Sequence, residues 1–406
     1  GEIHAFPVEI LGAMEGGKGS QRMIMARTSG DLIERVGGVL QGMSGSPIYV
    51  DGRLVGALAA GLKDLSPYTF FITPIEDMTP LWSMPDIKNQ TNIDTVDIVK
   101  ELEERKKAEE KRRLREREKE FAKMSRAERE AEWRDMIAVL KGEKTEDTAT
   151  NSDTSAAAEA SSAAAHTDSA SEDTEAKSGN AAEEKAYFFT QGFNAAGLRY
   201  LQNNLPMNGA SFLPLGGFGA SSKLHTRYDA TLAGGQPVGV ALVYGDFSIG
   251  ATGTVTAVDG KKVVAFGHSF MHKGNVNYFM TDADVIGTIA GQSNGVKIAN
   301  IGSVIGRVNQ DRETGIAGVL GTFPTAVPVQ IHVKDNALGT EETFGAQIAY
   351  DEDFLPILSG SVAYAAMSRV SDALGSSTAR IRFAIRTNAY EGGLFERRNM
   401  YYSAAD

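Results

Sequence analysis

The chain contains no cysteine among its 406 residues. This absence excludes disulfide bonds, thiol nucleophiles and thiolate metal sites, and it leaves the redox compartment undetermined. Positive charge is also scarce, because the chain has 41 Lys and Arg residues and 52 Asp and Glu residues, which gives a formal net charge of −11. Nucleic-acid binding needs a basic face, so a nucleic-acid partner is not expected. The sequence also lacks an uninterrupted apolar run of the roughly 18 residues that a membrane-spanning helix needs.

Glycine, in contrast, is abundant, with 44 residues, and many of them separate apolar runs of strand length. The pair Asp51-Gly52 lies between Pro-Ile-Tyr-Val and Arg-Leu-Val-Gly, and Asp259-Gly260 lies in a similar position. Each pair predicts a two-residue β-hairpin, because a type I′ turn needs a positive φ at both positions. Apolar and polar residues alternate in 327–333 and 380–386, as in half-buried strands. The sequence therefore predicts a mainly β protein, a barrel or a sandwich.

Composition divides the chain into four regions. Residues 1–93 and 187–406 have the globular, strand-rich pattern. Residues 94–141 are dominated by Glu, Lys and Arg, with opposite charges three and four residues apart. This pattern predicts a long solvated α-helix. Such a helix can act as a spacer or as a coiled-coil arm for a partner helix. Residues 142–186 are rich in Ala, Ser and Glu and have no aromatic residue, which predicts a disordered linker. The helix and the linker are thus expected to interrupt one β-rich body.

The stretch G-M-S-G-S-P, residues 42–47, is the first candidate for chemistry. A serine hydroxyl becomes a nucleophile when a base takes its proton and backbone amides stabilise the oxyanion. The amides of Gly42 and Ser44 can form such an oxyanion hole, and the small neighbours let a substrate approach. Chymotrypsin-like peptidases have the same order of serine, strand, turn and strand, and this analogy selects Ser44 over Ser46. The alternative is a glycine-serine turn that opens a hairpin and has no catalytic role.

A catalytic base for this serine must come from the six histidines. His268 ends the second predicted hairpin in A-F-G-H, where it follows a buried strand and can project into a cleft; the alternative is a core histidine bonded to backbone. His272 ranks second. The other histidines lack supporting context: His4, His166, His225 and His332. The spacing of His268 and His272 would suit zinc only on a helix, and the glycines around them oppose one, so neither a metal nor another cofactor is expected.

Three blocks of the sequence together resemble the SpoIVB-type serine peptidases. They are V-G-G-V-L-Q-G-M-S-G-S-P-I at residues 36–48, A-F-G-H at 265–268 and G-R-V-N-Q-D-R-E-T-G-I-A-G at 306–318. The resemblance implies a chymotrypsin-like double β-barrel, with Ser44 as nucleophile and His268 as base. It also implies an extracytoplasmic endopeptidase that acts on protein or peptide substrates and has a membrane-associated protein partner. In the sporulation enzymes the histidine block comes first, so this chain looks circularly permuted, and no PDZ domain is recognisable.

The third member of a catalytic triad is less well defined by the sequence. The resemblance places an acid before the nucleophile, where Ser29 is nearest in register and Asp31 lies two positions on. Asp31 is the candidate for orienting His268, with Asp282 and Asp284 as competitors; alternatively a hydroxyl serves, or there is no third member. The other reading of Asp31 is a cap of a helix or turn. A rival function follows, a catalytically silent peptidase-fold scaffold or envelope interaction protein.

Overall fold

A computed structural model describes most of the chain outside its central region. The described residues are 2–16, 21–62, 66–90, 187–205, 211–214, 226–291, 295–372, 376–387 and 392–403, together with four single helical positions at Lys111, Arg115, Lys119 and Lys123. Apart from those four positions, the predicted helix at 94–141 and linker at 142–186 lie outside the described residues. Residues 1–95 and 180–406 form one compact unit, and residues 96–179 form another. The serine-bearing and histidine-bearing parts of the chain therefore belong to the same body.

The first part of the chain folds mainly as an antiparallel sheet. Its strands are β1 (Val8–Met14), β2 (Met23–Thr28), β3 (Leu40–Gln41), β4 (Pro47–Val50), β5 (Arg53–Leu62) and β6 (Ser66–Pro74). Its helices are α1 (Asp31–Val36), α2 (Ile75–Met78) and two 3₁₀ helices, Thr79–Ser83 and Ile87–Gln90. Five of the strands pair in the order β1-β2-β6-β5-β4. The predicted Asp51-Gly52 turn joins β4 to β5, with φ of 49° and 73° at the two residues.

In the second part of the chain, the described residues form twelve strands and two helices. The strands are β7 (Tyr187–Gln191), β8 (Ser211–Pro214), β9 (Pro237–Gly245), β10 (Ser248–Asp259), β11 (Lys262–Ala265), β12 (Gly274–Ile289), β13 (Gly295–Arg312), β14 (Gly315–Leu320), β15 (Ala326–Asp335), β16 (Thr340–Ala349), β17 (Ser377–Arg386) and β18 (Leu394–Ser403). The helices are α3 (Ala195–Asn204) and α4 (Leu355–Ser371). The second predicted hairpin joins β10 to β11, but its turn lies one residue later than expected. Asp259 ends β10 and pairs with Lys262, so the turn residues are Gly260 and Lys261, and of the Asp-Gly pair only Gly260 has a positive φ, of 59°.

Six of these strands close into a barrel. They pair in the order β9-β12-β13-β14-β11-β10, and β10 pairs again with β9. Apolar side chains such as Val240, Leu242, Val255 and Ile305 are fully buried in the core, and each stabilises the fold by roughly 1.5–3 kcal/mol. The mainly β class is thus confirmed. Of the two barrels that were predicted, the described strands close one, whereas the sheet from β1 to β4 stays open.

The sheet and the barrel join just before the candidate nucleophile. Strand β3 pairs in parallel with β13, with Leu40 in register with Gly295 and Gln41 with Val296. This pairing delivers residues 42–47 to the surface of the barrel. No helix in the described ranges is both long enough and apolar enough to cross a membrane.

Candidate active site

Residues 42–47, which we call the nucleophile loop, pack tightly against the barrel. Gly45 adopts a φ of 94°, in the left-handed region that suits glycine. A Cβ atom at Gly45 would lie 1.9 Å from the carbonyl oxygen of Thr254 on β10 and 2.5 Å from the amide of Phe266. Only glycine fits this position, because the backbone of the loop lies directly on the backbone of the barrel.

The backbone amides of the nucleophile loop fall into two groups. Three of them bond to nearby carbonyl oxygens: Met43 N to Leu40 O at 3.0 Å, Gly45 N to Leu58 O at 2.7 Å and Ser46 N to Met43 O at 2.9 Å. The intervening amides, of Gly42 and Ser44, do not take part in the backbone hydrogen bonds of turns and loops that the described residues form. An oxyanion hole requires amide donors that are not used within the turn, and the candidates here are the amide of Ser44 itself and the amide two residues before it.

The two serines of the loop have different surroundings. The Ser46 hydroxyl donates to the carbonyl oxygen of Met43 at 2.7 Å, so it supports the turn. Ser44 is half-buried, and its hydroxyl has no hydrogen-bond partner among the described residues. A hydroxyl that is not engaged in the turn is the one that can approach a substrate.

A threonine of the barrel holds the nucleophile loop in place. Thr254 on β10 donates its amide to Ser44 O at 2.8 Å and its hydroxyl to Gly42 O at 3.1 Å. The Lys297 ammonium donates in turn to the Thr254 hydroxyl at 3.0 Å. Burial lowers the pKa of Lys297 to about 8, because the amine has left water. Thr254, supported by Lys297, thus fixes the carbonyl groups of Gly42 and Ser44, and no local sequence signal points to either residue.

The histidine loop, residues 266–273, begins with a strained turn. Phe266 has a φ of 72° although it is bulky, and the amide of Gly267 donates to Ala265 O at 2.9 Å, as in a γ-turn of positive φ. Such a conformation costs about 1–3 kcal/mol and persists only where its surroundings enforce it. Here Phe266 N donates to Thr254 O at 3.2 Å, and the Thr73 hydroxyl donates to Gly267 O at 2.5 Å. The turn sends the chain off β11 toward the sheet.

His268 is half-buried, and its ring is oriented by a backbone group. The Nδ1 atom lies 2.7 Å from the carbonyl oxygen of Ser269. A carbonyl oxygen can only accept, so this contact requires a proton on Nδ1, and in the neutral imidazole the lone pair is then on Nε2. In a catalytic triad, a carboxylate sets this tautomer. In this site the carbonyl group of Ser269 provides the equivalent contact.

The two loops meet at shared backbone atoms. The carbonyl oxygen of Leu58 on β5 accepts the amide of Gly45 at 2.7 Å, and it lies 3.0 Å from the position that a Cβ of Gly267 would occupy. Thr254 likewise contacts both loops, through Ser44 and Phe266. The structure therefore brings the loops of Ser44 and His268 together, although they are far apart in the sequence.

Asp31 lies in a different part of the sheet. It is exposed, in the first turn of α1, which follows β2. Met23, at the start of β2, contacts the same Thr73 hydroxyl that bonds to Gly267. The end of β2 at Thr28 is about 17 Å away along an extended strand, and Asp31 lies beyond it. The structure does not bring Asp31 beside His268, and its role in orienting the imidazole stays a prediction that this placement does not support.

The competing acids also lie away from the histidine loop. Asp282 and Asp284 are on β12, eight or more residues beyond its start at Gly274, and Asp282 forms an ion pair with Arg227 at 3.0 Å. Within the described ranges, no cluster of three or more acidic or histidine side chains could hold a metal ion. Sequence reasoning identified the two loops, but it missed the residues that fasten them.

Comparison with known proteins gives one match. No curated protein and no solved structure matches the chain. The matched stretch, residues 1–78, includes the nucleophile loop and stops before the histidine loop. It matches the family model described as SpoIVB peptidase S55, in agreement with the resemblance that the sequence predicted.

Proposed function

We propose that the protein is a serine endopeptidase of limited specificity that acts through an acyl-enzyme. The observation that carries the proposal is the pair of available amides, of Gly42 and Ser44, beside a serine hydroxyl that is not engaged in its turn. The approach of the histidine loop to the same carbonyl oxygen of Leu58 supplies a base nearby. The family match over the nucleophile loop supports the reaction class.

The residues then take the following roles. Ser44 Oγ bonds to the carbonyl carbon of the substrate, while His268 Nε2 takes the hydroxyl proton and the amides of Gly42 and Ser44 hold the oxyanion. When the C–N bond breaks, His268 returns that proton to the departing amine, and an acyl-serine ester remains. His268 next takes a proton from water, which attacks the ester, and it returns this proton to Ser44 Oγ as the acid product leaves. No cofactor enters the reaction.

The architecture is consistent with a permuted relative of the chymotrypsin-like peptidases. His268 follows a strand of the closed six-stranded ring, and Ser44 lies between β3, which pairs with that ring, and β4 of the separate sheet. Because a catalytic triad is a matter of geometry, the serine can precede the histidine in the chain. An extracytoplasmic location and a membrane-associated partner are proposed on the resemblance alone, and a partner helix for residues 94–141 is proposed on the charge pattern of that segment.

The experiment that tests this function maps the residue modified by a fluorophosphonate probe. The full chain is labelled and digested, and the adduct is located by peptide mass spectrometry. We expect modification of Ser44 and none of Ser46. A chain that remains unmodified and cleaves no peptide would instead favour the scaffold, for which the position of Asp31 away from His268 is the supporting observation.

Replacing Asp31 with asparagine is expected to change kcat/KM by less than about threefold, because a group at the far end of β2 cannot orient the imidazole. An asparagine in place of the orienting aspartate of a triad lowers kcat by about 10⁴-fold. Peptide cleavage by the Asp31→Asn variant distinguishes the two cases. Asp282→Asn is the matched control, and a loss near 10⁴-fold that is specific to Asp31→Asn would restore Asp31 to the triad.

A further inference from the structure

The histidine loop spans a gap between strands that are not neighbours. It joins β11 to β12, and in the barrel β14 and β13 lie between these two strands. The loop must therefore cross over the ends of two strands, at Ile316 of β14 and Asp311 of β13. Register confirms this placement, since Ala265 before the loop faces Ile316, and Gly274 after the loop faces Asp311.

Residues 266–274 contain several left-handed conformations. The φ values are 72° at Phe266, 72° at Gly267, 56° at His272 and 76° at Gly274. Phe266 and His272 carry a Cβ atom, and each pays about 1–3 kcal/mol for its conformation. A loop with this much strain does not hold its shape by local preference, so contacts from outside the loop must impose it.

Asp311 supplies those contacts from beneath the loop. Its side chain is fully buried, and its two carboxylate oxygens accept three backbone amides of the loop: Phe270 N at 2.7 Å, Met271 N at 2.9 Å and Lys273 N at 3.2 Å. Among the described residues, the three amides have no backbone acceptor in the loop, and the Asp311 carboxylate is the acceptor found for each of them. The carboxylate therefore satisfies most of the donors in the middle of a loop that starts two residues before His268.

The chemistry of this contact requires a carboxylate. Burial raises the pKa of Asp311, while the three amide donors and the nearby His272 oppose that shift by stabilising the charge. An asparagine at this position would have one acceptor oxygen, and its NH₂ group would point at backbone donors. Asp311→Asn thus removes hydrogen bonds between this side chain and the loop amides, while it changes the size of the side chain very little.

We propose that Asp311 is a positioning residue that holds the histidine loop so that His268 faces Ser44. The role rests on the proposed function, because positioning has a catalytic meaning only if His268 is the base. It also gives the two sequence blocks a common role. Asp311 lies in the Q-D-R-E-T-G-I-A-G block, and its carboxylate binds the loop that begins in the A-F-G-H block.

The test compares Asp311→Asn with a matched control, Asp246→Asn. Asp246 also accepts a backbone amide, from Gly345 at 2.7 Å, but it follows β9 at the end away from Thr254, about 27 Å along the strand. The readouts are kcat and KM for a peptide substrate, the rate of fluorophosphonate labelling, and the ¹³C spectrum of histidine-labelled protein. His268→Gln assigns the His268 signal among the six histidines.

For Asp311→Asn we expect kcat and the labelling rate to fall by about 100-fold, the cost of a misplacement near 1 Å, while KM changes by less than about twofold. The His268 ring signal should shift or broaden, and Asp246→Asn should leave all three readouts as in the wild type. Asp311→Glu, which keeps the charge, should recover part of the lost rate. Wild-type values of kcat and of the His268 signal in Asp311→Asn would overturn the proposal.

Two further outcomes are informative. If wild-type protein neither cleaves nor labels, the proposed function fails, and the shift of the His268 signal in Asp311→Asn alone decides whether Asp311 positions the ring. If Asp311→Asn does not fold, hydrogen exchange in the wild type replaces it. Strong protection of the amides of Phe270, Met271 and Lys273 supports the proposal that Asp311 holds the histidine loop, and rapid exchange of these amides overturns that proposal.

Discussion

Replacement of Ser44 by alanine is expected to lower kcat/KM by a factor of about 10⁵ to 10⁶, the loss seen when a serine peptidase loses its nucleophile. The variant keeps the amides of Gly42 and Ser44, so the oxyanion hole and substrate binding survive. What disappears is the bond from Oγ to the substrate carbon, and without that bond no acyl-enzyme forms. The measurement is peptide cleavage under single-turnover conditions, with unfolding followed in parallel to show that the fold is retained.

The neighbouring serine provides the matched control for this prediction. Ser46→Ala removes the hydrogen bond to Met43 O, and it should cost about 1 kcal/mol of stability while the rate stays within about tenfold of the wild type. The two variants lie two positions apart in one loop, so a general disturbance of the loop would affect both. If Ser44→Ala cleaved as fast as the wild type while Ser46→Ala did not, the nucleophile would have to be reassigned to Ser46.

The second large effect is on stability. Gly45→Ala is expected to lower the free energy of unfolding by at least about 4 kcal/mol, in the exceptional range for a single substitution. The new Cβ atom would lie 1.9 Å from Thr254 O and 2.5 Å from Phe266 N, at a φ of 94°. Neither backbone atom can move without breaking the contacts that hold the nucleophile loop against β10. Denaturant unfolding of the purified variant and of the wild type measures this difference in the free energy of unfolding.

Gly52→Ala separates the collision from the backbone strain. Gly52 has a φ of 73° in the Asp51-Gly52 turn, and nothing lies within 4 Å of its missing Cβ. This variant should cost only the roughly 1–2 kcal/mol that a left-handed alanine requires. A loss for Gly45→Ala no larger than that for Gly52→Ala would show that the loop and the barrel do not pack as described.

The local elements were predictable because each depends on a few adjacent residues. Both expected hairpins form, and the Asp51-Gly52 pair makes its turn as predicted, since a positive φ is available to Asp and Gly with little penalty. The second turn lies one residue later than predicted, at Gly260 and Lys261, so its position was not fixed by the Asp-Gly pair. The same reasoning applies to G-M-S-G-S-P, where the glycines permit the turn that leaves two amides available. The family match over residues 1–78 follows from the same short-range information.

The contacts that assemble the site depend on long-range packing, and no local pattern encodes them. Thr254 and Gly42 are 212 residues apart, and Asp311 and Phe270 are 41 apart. Asp31 was selected by its distance along the chain, whereas β2 carries it away from His268 through space.

By itself, then, the sequence determined the β class, the two hairpins and the serine and histidine loops, because backbone preference and hydrophobic alternation act over a few residues. Only the tertiary structure decided that six strands close into one barrel while the first sheet stays open. It also decided that Thr254 and Asp311 hold the two loops. Those outcomes depend on which strands become neighbours, and that is settled when the whole core is packed.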